Sequence, residues 1–484
     1  MSSTDPKSKS TEASKATPPA DAAQDTKRKS KRRRPDLDTM YTINEDGSRN
    51  FVQPADVDGP WTKRVNVFWA LLILVYAGLP WIKIGGHPAV HVDLASRQAY
   101  LFGLGFSNQD FYLMFFVLTG IGFTLFVAAA LFGRVWCGFA CPQTVFMEGV
   151  FRKIERVIEG PRNRRIRRNQ GPVDFDKFWR KGLKHVAFLG LSYTIAHIFL
   201  SYFIPVERLL QVIQSPPSEN LAAFGWTMFF TGLMYFDYAW FREQTCLVIC
   251  PYGRLQSALI DQDTIVIGYD PERGEPRAPG GKQGDCVDCY RCVEVCPTGI
   301  DIRNGLQMEC IGCTRCIDAC DDVMRRFDKP EGLVRFDSRE AFEGGKRRSL
   351  LRPRVFLYAF FGLVGLSVAV FMISNRDVFH ANILRARGMP YTIEGERVRN
   401  LVNVQLQNKQ SFDMVLSIQP ANAEAAEYVI PQPVVRLGPG EDADVPIFLY
   451  IDRAAWDGQF PVSFTVTDSV TSETRELKMT FRGP

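Results

Sequence analysis

Histidine is scarce in this 484-residue chain, and cysteine is confined to one stretch of it. There are five histidines and twelve cysteines, and every cysteine lies between Cys137 and Cys320. Twelve cysteines are too few for a disulfide-rich scaffold, and none is left for a disulfide after Cys320. The 58 basic and 53 acidic residues give a net charge of only +5, which does not indicate a nucleic-acid partner. The length allows two to four domains of roughly 100–200 residues each.

The first 36 residues lack large apolar side chains and cannot build a core. They end in a basic run from Lys27 to Arg34, which could bind nucleic acid or anionic lipid but is more typical of a solvated tail. No apolar run or cleavage site follows directly, so the segment does not have the form of a secretory signal. We predict a disordered basic tail at 1–36.

The mean hydropathy of −0.09 is ordinary for a soluble protein, but it averages strongly apolar and strongly charged blocks. A helix needs about 20 apolar residues to cross a bilayer. Five blocks satisfy this requirement, near 65–84, 109–132, 185–206, 221–241 and 354–373. His197 and Asp237 lie inside the third and fourth blocks, and ionisable groups within a span are candidates for function. The sequence gives no role for either residue.

The basic residues between the spans predict an orientation. The 134–184 connection holds thirteen Lys or Arg residues, whereas 85–108 contains only Arg97 and 207–220 only Arg208. Short loops rich in Lys and Arg stay in the cytoplasm. We therefore expect a multi-pass protein of the bacterial inner membrane, with a cytoplasmic N-terminus and 242–353 segment and a periplasmic C-terminal part.

The C-terminal part changes character. Runs such as VNVQLQN, DVPIFLYID and FPVSFTVTD alternate apolar and polar residues, and clusters of Gly, Pro, Asn and Asp separate them. This pattern is typical of an antiparallel sandwich of the immunoglobulin or fibronectin type. We predict such a sandwich, without a disulfide, at 377–484.

Eight cysteines form two runs with the C-x-x-C-x-x-C-x-x-x-C spacing of bacterial ferredoxins. In that pattern the fourth cysteine of each run binds the other [4Fe–4S] cluster, whereas zinc ribbons use two separated C-x-x-C pairs. A residue other than proline, Asp321, follows the second run, which changes the turn but not the number of ligands. The first cluster is assigned to Cys286, Cys289, Cys292 and Cys320, and the second to Cys310, Cys313, Cys316 and Cys296.

The other four cysteines form two C-x-x-x-C-P pairs 109 residues apart, each after two spans. Residues four apart share a helix face, and the proline disfavours helix at the residue before it. The repeat indicates a duplicated two-span unit in which each pair lies at a helix break. Metal binding or electron relay, a dithiol–disulfide couple and structural packing all remain open for the pairs, which are Cys137 with Cys141 and Cys246 with Cys250.

Two histidines lie four residues apart in the loop after the first span. His87 and His91 flank Pro88, which argues against one helix face. They are metal ligands or ordinary loop histidines, and the sequence does not decide between these roles.

This order of motifs resembles the FixG/RdxA/CcoG family of cytochrome c oxidase accessory proteins. The residues that carry the resemblance are W-C-G-F-A-C-P-Q, C-x-x-x-C-P-Y-G-R, the two-cluster insert, the fifth span and the sandwich. The resemblance implies a role in assembling a cbb-type oxidase, with reduction of Cu(II) to Cu(I) as the activity. It makes Cys137, Cys141, Cys246 and Cys250 the candidate catalytic, copper-binding or electron-relay residues. It also implies oxidase subunits or copper chaperones and a cytoplasmic electron donor as partners; a homodimer stays open.

The predicted architecture is a multi-domain membrane protein. An α-helical bundle of about five spans carries a ferredoxin insert and an all-β C-terminal sandwich. The predicted boundaries are a tail at 1–36, a membrane domain with four spans at 37–260, a ferredoxin domain at 261–345, a fifth span at 346–376 and the sandwich at 377–484. Three other functions remain as alternatives: a quinol dehydrogenase-type electron-transfer subunit, a copper-holding scaffold with structural clusters and, without a DNA-binding motif to support it, a redox sensor.

Overall fold

In the part of the chain that the computed structural model describes, four helices are long and apolar enough to cross a membrane: Pro60–Trp81, Tyr112–Phe132, Phe175–Leu200 and Pro353–Ser374. The structure describes residues 51–94, 97–106, 110–281, 283–345, 352–375, 377–385, 389–410, 412–422 and 426–484. The predicted tail at 1–36 and the starts of two predicted domains, 37–50 and 346–351, lie outside the described residues.

The long helices are α1 (Pro60–Gly78), α2 (Phe111–Phe132), α3 (Phe175–Leu200), α4 (Leu221–Phe236) and α5 (Pro353–Ser374). A 3-10 turn, Leu79–Trp81, extends α1, and a π-helix, Asp237–Phe241, extends α4. The fourth predicted span is thus a 16-residue α-helix prolonged by a π-helix, and it is shorter than the other four.

Two of these helices begin well before the apolar block that predicted them. Pro60 stands at the first helical position of α1, where its missing N–H costs nothing. Asp174 caps α3, and its carboxylate accepts the Lys177 amide at 2.8 Å. Hydropathy marks the apolar part of a helix, whereas the cap marks its start, so both helices extend beyond the apolar blocks near 65–84 and 185–206.

Helices α2 and α5 pack closely through glycine. A Cβ atom added to Gly120 would lie 3.3 Å from the Leu366 amide nitrogen, and one added to Gly365 would lie 3.3 Å from the Gly120 nitrogen. Small residues let two backbones approach within a membrane. The second and fifth spans therefore form one pair although they are distant in sequence.

The connections between helices define two sides of the bundle. One side holds a hairpin, Lys83–Ile84 with His87–Pro88, and a three-stranded sheet of Val90–Asp93, Gln98–Leu101 and Leu104–Phe106. The connection from α3 to α4 adds Val206–Gln214 and the 3-10 turn Pro217–Glu219. The Val92 amide donates to the Tyr202 carbonyl at 2.8 Å, which ties the two connections together.

The described residues of the C-terminal sandwich on that side form nine strands: β1 (Phe379–Arg385), β2 (Thr392–Glu394), β3 (Arg397–Asn408), β4 (Met414–Pro420), β5 (Glu427–Val429), β6 (Val434–Leu437), β7 (Asp442–Asp452), β8 (Phe460–Asp468) and β9 (Thr474–Phe481). One sheet has the order β5-β7-β3-β1, with β2 added to β3, and the other has β6-β4-β8-β9. Alternate residues fill the core, as the period-two pattern predicts.

The sandwich contacts the start of α2 through a buried ion pair. Lys409 Nζ lies 2.9 Å from Asp110 Oδ1, and the two side chains are 7% and 3% exposed. Beside them the Gln98 amide donates to the Gly440 carbonyl at 2.6 Å. This face of the bundle is called the sandwich side below.

The opposite side carries the ferredoxin insert. Two antiparallel strands, Ile265–Tyr269 and Val334–Ser338, close it. Between them lie the helices Pro271–Gly274, Arg291–Glu294 and Arg315–Arg326 and the 3-10 turn Ile302–Asn304, and Arg339–Phe342 follows. The other helices of this ferredoxin side are Val135–Phe139, Pro142–Phe146, Arg152–Glu159, Arg162–Gln170 and Pro251–Leu259, with π-helices at Met147–Phe151 and Thr245–Ile249.

The first turn of α1 contacts the insert, which the sequence did not predict. The amides of Trp61 and Thr62 donate to the Asp318 carboxylate at 3.2 and 2.6 Å. Asp318 therefore caps α1 from the ferredoxin helix Arg315–Arg326. The insert is fixed to the first span as well as to the chain on either side of it.

Candidate functional site

The two ferredoxin-type motifs adopt the same local fold. Tyr290 has φ of 60° and precedes the helix Arg291–Glu294, and Thr314 has φ of 68° and precedes Arg315–Arg326. Left-handed backbone is uncommon outside glycine. Its recurrence at equivalent places in both motifs shows that the two half-sites are pseudo-symmetric.

An apolar cavity with about 340 Å³ of empty volume lies at the second motif. Its wall includes the isoleucines Ile267, Ile300, Ile302 and Ile311. Its cysteines include all four that the sequence assigns to the second cluster, Cys296, Cys310, Cys313 and Cys316. Thiol donors around a small apolar volume fit a [4Fe–4S] cluster. The reduction potential of such a cluster depends in part on how far it is exposed to solvent.

The fourth cysteine of each run faces the other run. Burial, together with Asp321 and the thiols of Cys289 and Cys286, raises the pKa of the Cys320 thiol to about 12. Burial likewise raises the pKa of Cys313 to about 12, with Cys296 adding to the effect. This is the grouping that the sequence predicts, and cluster binding by these eight residues stays a prediction.

The thiols surround a volume instead of meeting at a point. Among the residues that the structure describes, no three His, Cys, Asp or Glu side chains converge as ligands of a single metal ion. In a [4Fe–4S] cubane each cysteine binds a different iron atom, so the four cysteine sulfurs need not converge on one point. Burial raises the pKa values of these thiols, so they carry protons before a cluster binds. Each thiol must lose its proton when it becomes a cluster ligand.

Each C-x-x-x-C-P pair lies at a break between helices, as its proline predicts. Cys141 is extended (ψ 125°) and Pro142 begins the next helix, and Cys250 is extended (ψ 109°) before Pro251. The first cysteine of the first pair lies in the α-helix Val135–Phe139, whereas that of the second lies in a π-helix. The duplicated sequence therefore forms two similar but unequal turns.

The four cysteines of these pairs form one group, called the four-thiol group below. Burial raises the pKa of Cys137 to about 12, and Cys141 and Cys250 contribute to the rise. Burial and the thiols of Cys141, Cys137 and Cys250 also raise the pKa of Cys246. The Cys137 thiol donates to Gln256 Oε1 at 3.2 Å. All four are free cysteines, and no pattern along the chain indicated that the two pairs meet.

The four-thiol group lies directly against the second ferredoxin motif. A Cβ atom at Gly138, within the first pair, would clash with the Gly312 carbonyl, between Cys310 and Cys313. The thiols of Cys137 and Cys310 interact electrostatically. Because Gly138 has no Cβ atom, the backbone of the first C-x-x-x-C-P pair can contact the backbone of the second ferredoxin motif.

Buried charges dock the insert on the membrane helices. Arg152 forms an ion pair with Glu148 and another with Glu243 at 3.3 Å, and donates to the Pro297 carbonyl at 3.1 Å. Arg315, between two cluster cysteines, reaches Glu148 at 2.8 Å. These contacts join the end of the first cysteine run and the middle of the second to the ferredoxin side of the bundle.

The histidines lie elsewhere. His87 stacks on Tyr100 with ring centroids 3.8 Å apart, and His91 is buried beside the same ring on the sandwich side. His197 Nδ1 lies 2.9 Å from the Tyr193 carbonyl, within its own helix. The structure brings none of them to the sulfur groups.

Asp237 does belong to the surroundings of the four-thiol group. Its carboxylate accepts hydrogen bonds from Gln143, at 3.2 Å, and from Thr245. Gln143 directly follows the first C-x-x-x-C-P pair and Thr245 precedes Cys246, so Asp237 links the turns of both pairs. The sequence singled out this residue without finding its partners, because they come from two distant segments.

The family profile of a 4Fe-4S dicluster domain matches residues 241–283 and 278–339. A 4Fe-4S binding domain profile matches 113–164, which includes the first C-x-x-x-C-P pair. The profile for an IG-like fold at the C-terminus of FixG matches 369–484. Together these profiles cover both sulfur-bearing regions and the sandwich.

Relatives match most of the chain. The nitrogen fixation protein FixG of Rhizobium meliloti is 33% identical over 445 residues, which cover 78% of this chain and 83% of that protein. RdxA of Cereibacter sphaeroides is 35% identical over 387 residues, covering 75% and 81%. RdxB of the same organism is 36% identical over 389 residues, covering 75% and 80%. The similarity to each relative thus covers about three quarters of this chain and at least 80% of the relative.

Proposed function

Because the chain belongs to the FixG family, whose members RdxA and RdxB it also resembles, we propose that it reduces Cu(II) to Cu(I) for assembly of a cbb-type cytochrome oxidase. The broader role is that of a membrane iron–sulfur electron-transfer protein. The activity proposed within that role is a cupric reductase.

One observation carries the proposal: the four-thiol group lies against the second cluster motif. Thiolates are soft ligands that select Cu(I), and two of them are enough for a Cu(I) ion. A group that binds the product of the reduction next to an electron carrier has the arrangement that a cupric reductase needs. The substrate, Cu(II), accepts one electron and becomes Cu(I).

The exposure of the cluster cysteines to solvent suggests where electrons enter the protein and where they leave it. When bound, the clusters supply electrons one at a time. Cys289, assigned to the first cluster, is exposed, whereas Cys313 of the second is buried and Cys310 is half-buried. A cytoplasmic donor would therefore meet the first cluster motif, and the second motif would face the four-thiol group.

The orientation in the membrane rests on the basic residues. Arg162, Arg164 and Arg167 lie on the ferredoxin side, on the helix Arg162–Gln170 before α3. By the positive-inside rule this side is cytoplasmic and the sandwich is periplasmic, in a bacterial inner membrane. The proposed partners are accordingly a cytoplasmic electron donor at the insert and oxidase subunits or copper chaperones at the sandwich.

The proposal is tested with purified protein whose clusters are reduced by dithionite and freed of excess reductant. Anaerobic addition of Cu(II) with a Cu(I)-specific chelator should produce Cu(I) while the clusters become oxidised. Cluster oxidation by a quinone, with none by Cu(II), would instead favour a quinol dehydrogenase-type subunit.

A second comparison separates reduction from scaffolding. Replacing Cys289 and Cys313 by serine should stop oxidase assembly in cells even where the protein accumulates. Normal assembly with these variants would favour a copper-holding scaffold with structural clusters and would contradict the reductase.

A further inference from the structure

The geometry points to Arg134 as a positioning residue that stabilises the reduced form of the second cluster and so favours electron transfer to the side of the four-thiol group. The inference rests on the proposed function only for its final clause. Arg134 directly precedes the helix Val135–Phe139 that carries Cys137. Neither the motif spacing nor the net charge of the chain singles it out.

Arg134 contacts three segments that meet at the sulfur groups. Its Nη2 donates to the Gly253 carbonyl at 2.5 Å, and Gly253 lies on the helix that follows the second C-x-x-x-C-P pair. Its own carbonyl oxygen lies 3.0 Å from the position that a Cβ of Gly312 would occupy. Its side chain is therefore anchored to one cysteine pair while its backbone contacts the second cluster motif.

The charge of Arg134 acts on both sulfur groups. Its guanidinium interacts electrostatically with the sulfurs of Cys137 and Cys310. A cation favours the reduced form of a nearby cluster, because reduction adds one negative charge.

Arg134 differs from the other arginines at the cluster cysteines because it has no carboxylate partner within the described ranges. Arg303, beside Cys292, is paired with Asp301 and Asp288 at 2.6 and 2.7 Å. Arg315, beside Cys313, is paired with Glu148. Carboxylates cancel much of the charge of Arg303 and Arg315, whereas that of Arg134 remains to act on the second cluster.

The test is a redox titration of the purified protein, followed by electron paramagnetic resonance with iron and sulfide analysis. In Arg134→Gln one of the two cluster potentials should move to a more negative value while the other stays. Arg134→Lys should keep the wild-type value, because it keeps the charge. The matched control is Arg254→Gln, which removes an exposed arginine from the helix that contains Gly253 and should move neither potential.

Each outcome decides the inference. Loss of one cluster in Arg134→Gln with its retention in Arg134→Lys also supports a role for the charge. Unchanged potentials in Arg134→Gln, equal shifts of both clusters, or the same defect in Arg134→Lys would overturn it. Copper reduction is scored separately: wild-type protein that fails to reduce Cu(II) while Arg134→Gln shifts one potential would refute the proposed function alone.

Discussion

Glu155 shows how single buried charges hold the ferredoxin side together. Its carboxylate lies 2.8 Å from Arg242, 3.2 Å from Arg165 and 3.4 Å from Lys184. These cations come from separate segments, so the carboxylate joins the end of α4 to the basic connection before α3. A substitution that leaves one of these buried charges without its partner lowers the free energy of unfolding.

The same contacts give a stability that depends on pH. Burial alone would raise the pKa of Glu155, but Arg242, Lys184 and Arg165 outweigh it and lower the pKa from 4.5 to about 2. Since the folded pKa lies below the unfolded one, the stabilisation is complete above about pH 4.5 and is lost as the pH falls toward 2.

We expect Glu155→Gln to lower the unfolding temperature in detergent at neutral pH and to flatten its decline between about pH 4.5 and 2. The control is Asp176→Asn, which breaks ion pairs of an exposed carboxylate with Arg168 and Arg180 and should leave the unfolding temperature close to the wild-type value. An equally steep acid decline in Glu155→Gln and wild type would refute this account.

Among helices, the α2–α5 pair depends on where its glycines face. Gly120 touches the α5 backbone, whereas a Cβ added to Gly122, two residues along the same helix, would meet nothing within 4 Å. Both positions have the same helix propensity cost, so a difference between them isolates the packing.

Replacing Gly120 by leucine should destabilise the protein by about 1–3 kcal/mol, because the added side chain forces the two helices apart. Gly122→Leu should be neutral or mildly stabilising, since it relieves the cost of a glycine within a helix. Thermal unfolding in detergent measures both. Equal effects of the two substitutions would show that α2 and α5 do not pack as described.

The spacing of cysteines and prolines along the chain predicted the local structure of the site better than the packing of the segments around it. The grouping of Cys320 with the first motif, the helix breaks before Pro142 and Pro251 and the alternation of the sandwich strands all follow from residues close in sequence. The meeting of the two cysteine pairs, the Gly138–Gly312 contact and the Asp318 cap depend on the docking of distant segments. No pattern along the chain encodes them, and Arg134 was missed for the same reason.

On the scale of the whole molecule, contacts at both ends of the bundle bind the domains into one unit. The insert is held at α1 by Asp318 and at the membrane helices by Arg152. The sandwich is held at α2 by the Lys409–Asp110 pair. Helix α2 thus runs from the sandwich contact at one end to Arg134 and the sulfur groups at the other.

Lys409→Met should loosen the sandwich, because it leaves the Asp110 carboxylate buried without this cation, at a cost of about 3–5 kcal/mol. We expect faster proteolysis between α5 and the sandwich in the full-length protein. Lys478→Met, which removes an exposed lysine paired with Glu476, is the control and should behave like wild type. Unchanged proteolysis in Lys409→Met would mean that the ion pair does not hold the sandwich in place.

Reduction of Cu(II) by electrons from the clusters is tested most directly in a single-turnover experiment. Reduced protein is mixed anaerobically with Cu(II) and a Cu(I)-specific chelator, and cluster absorbance and Cu(I) are recorded together. We expect one Cu(I) per electron lost, and a clearly lower rate in the double variant Cys137→Ser with Cys246→Ser, its clusters intact, because it lacks two of the soft ligands for Cu(I). Equal rates in the two proteins, or cluster oxidation without Cu(I), would contradict it.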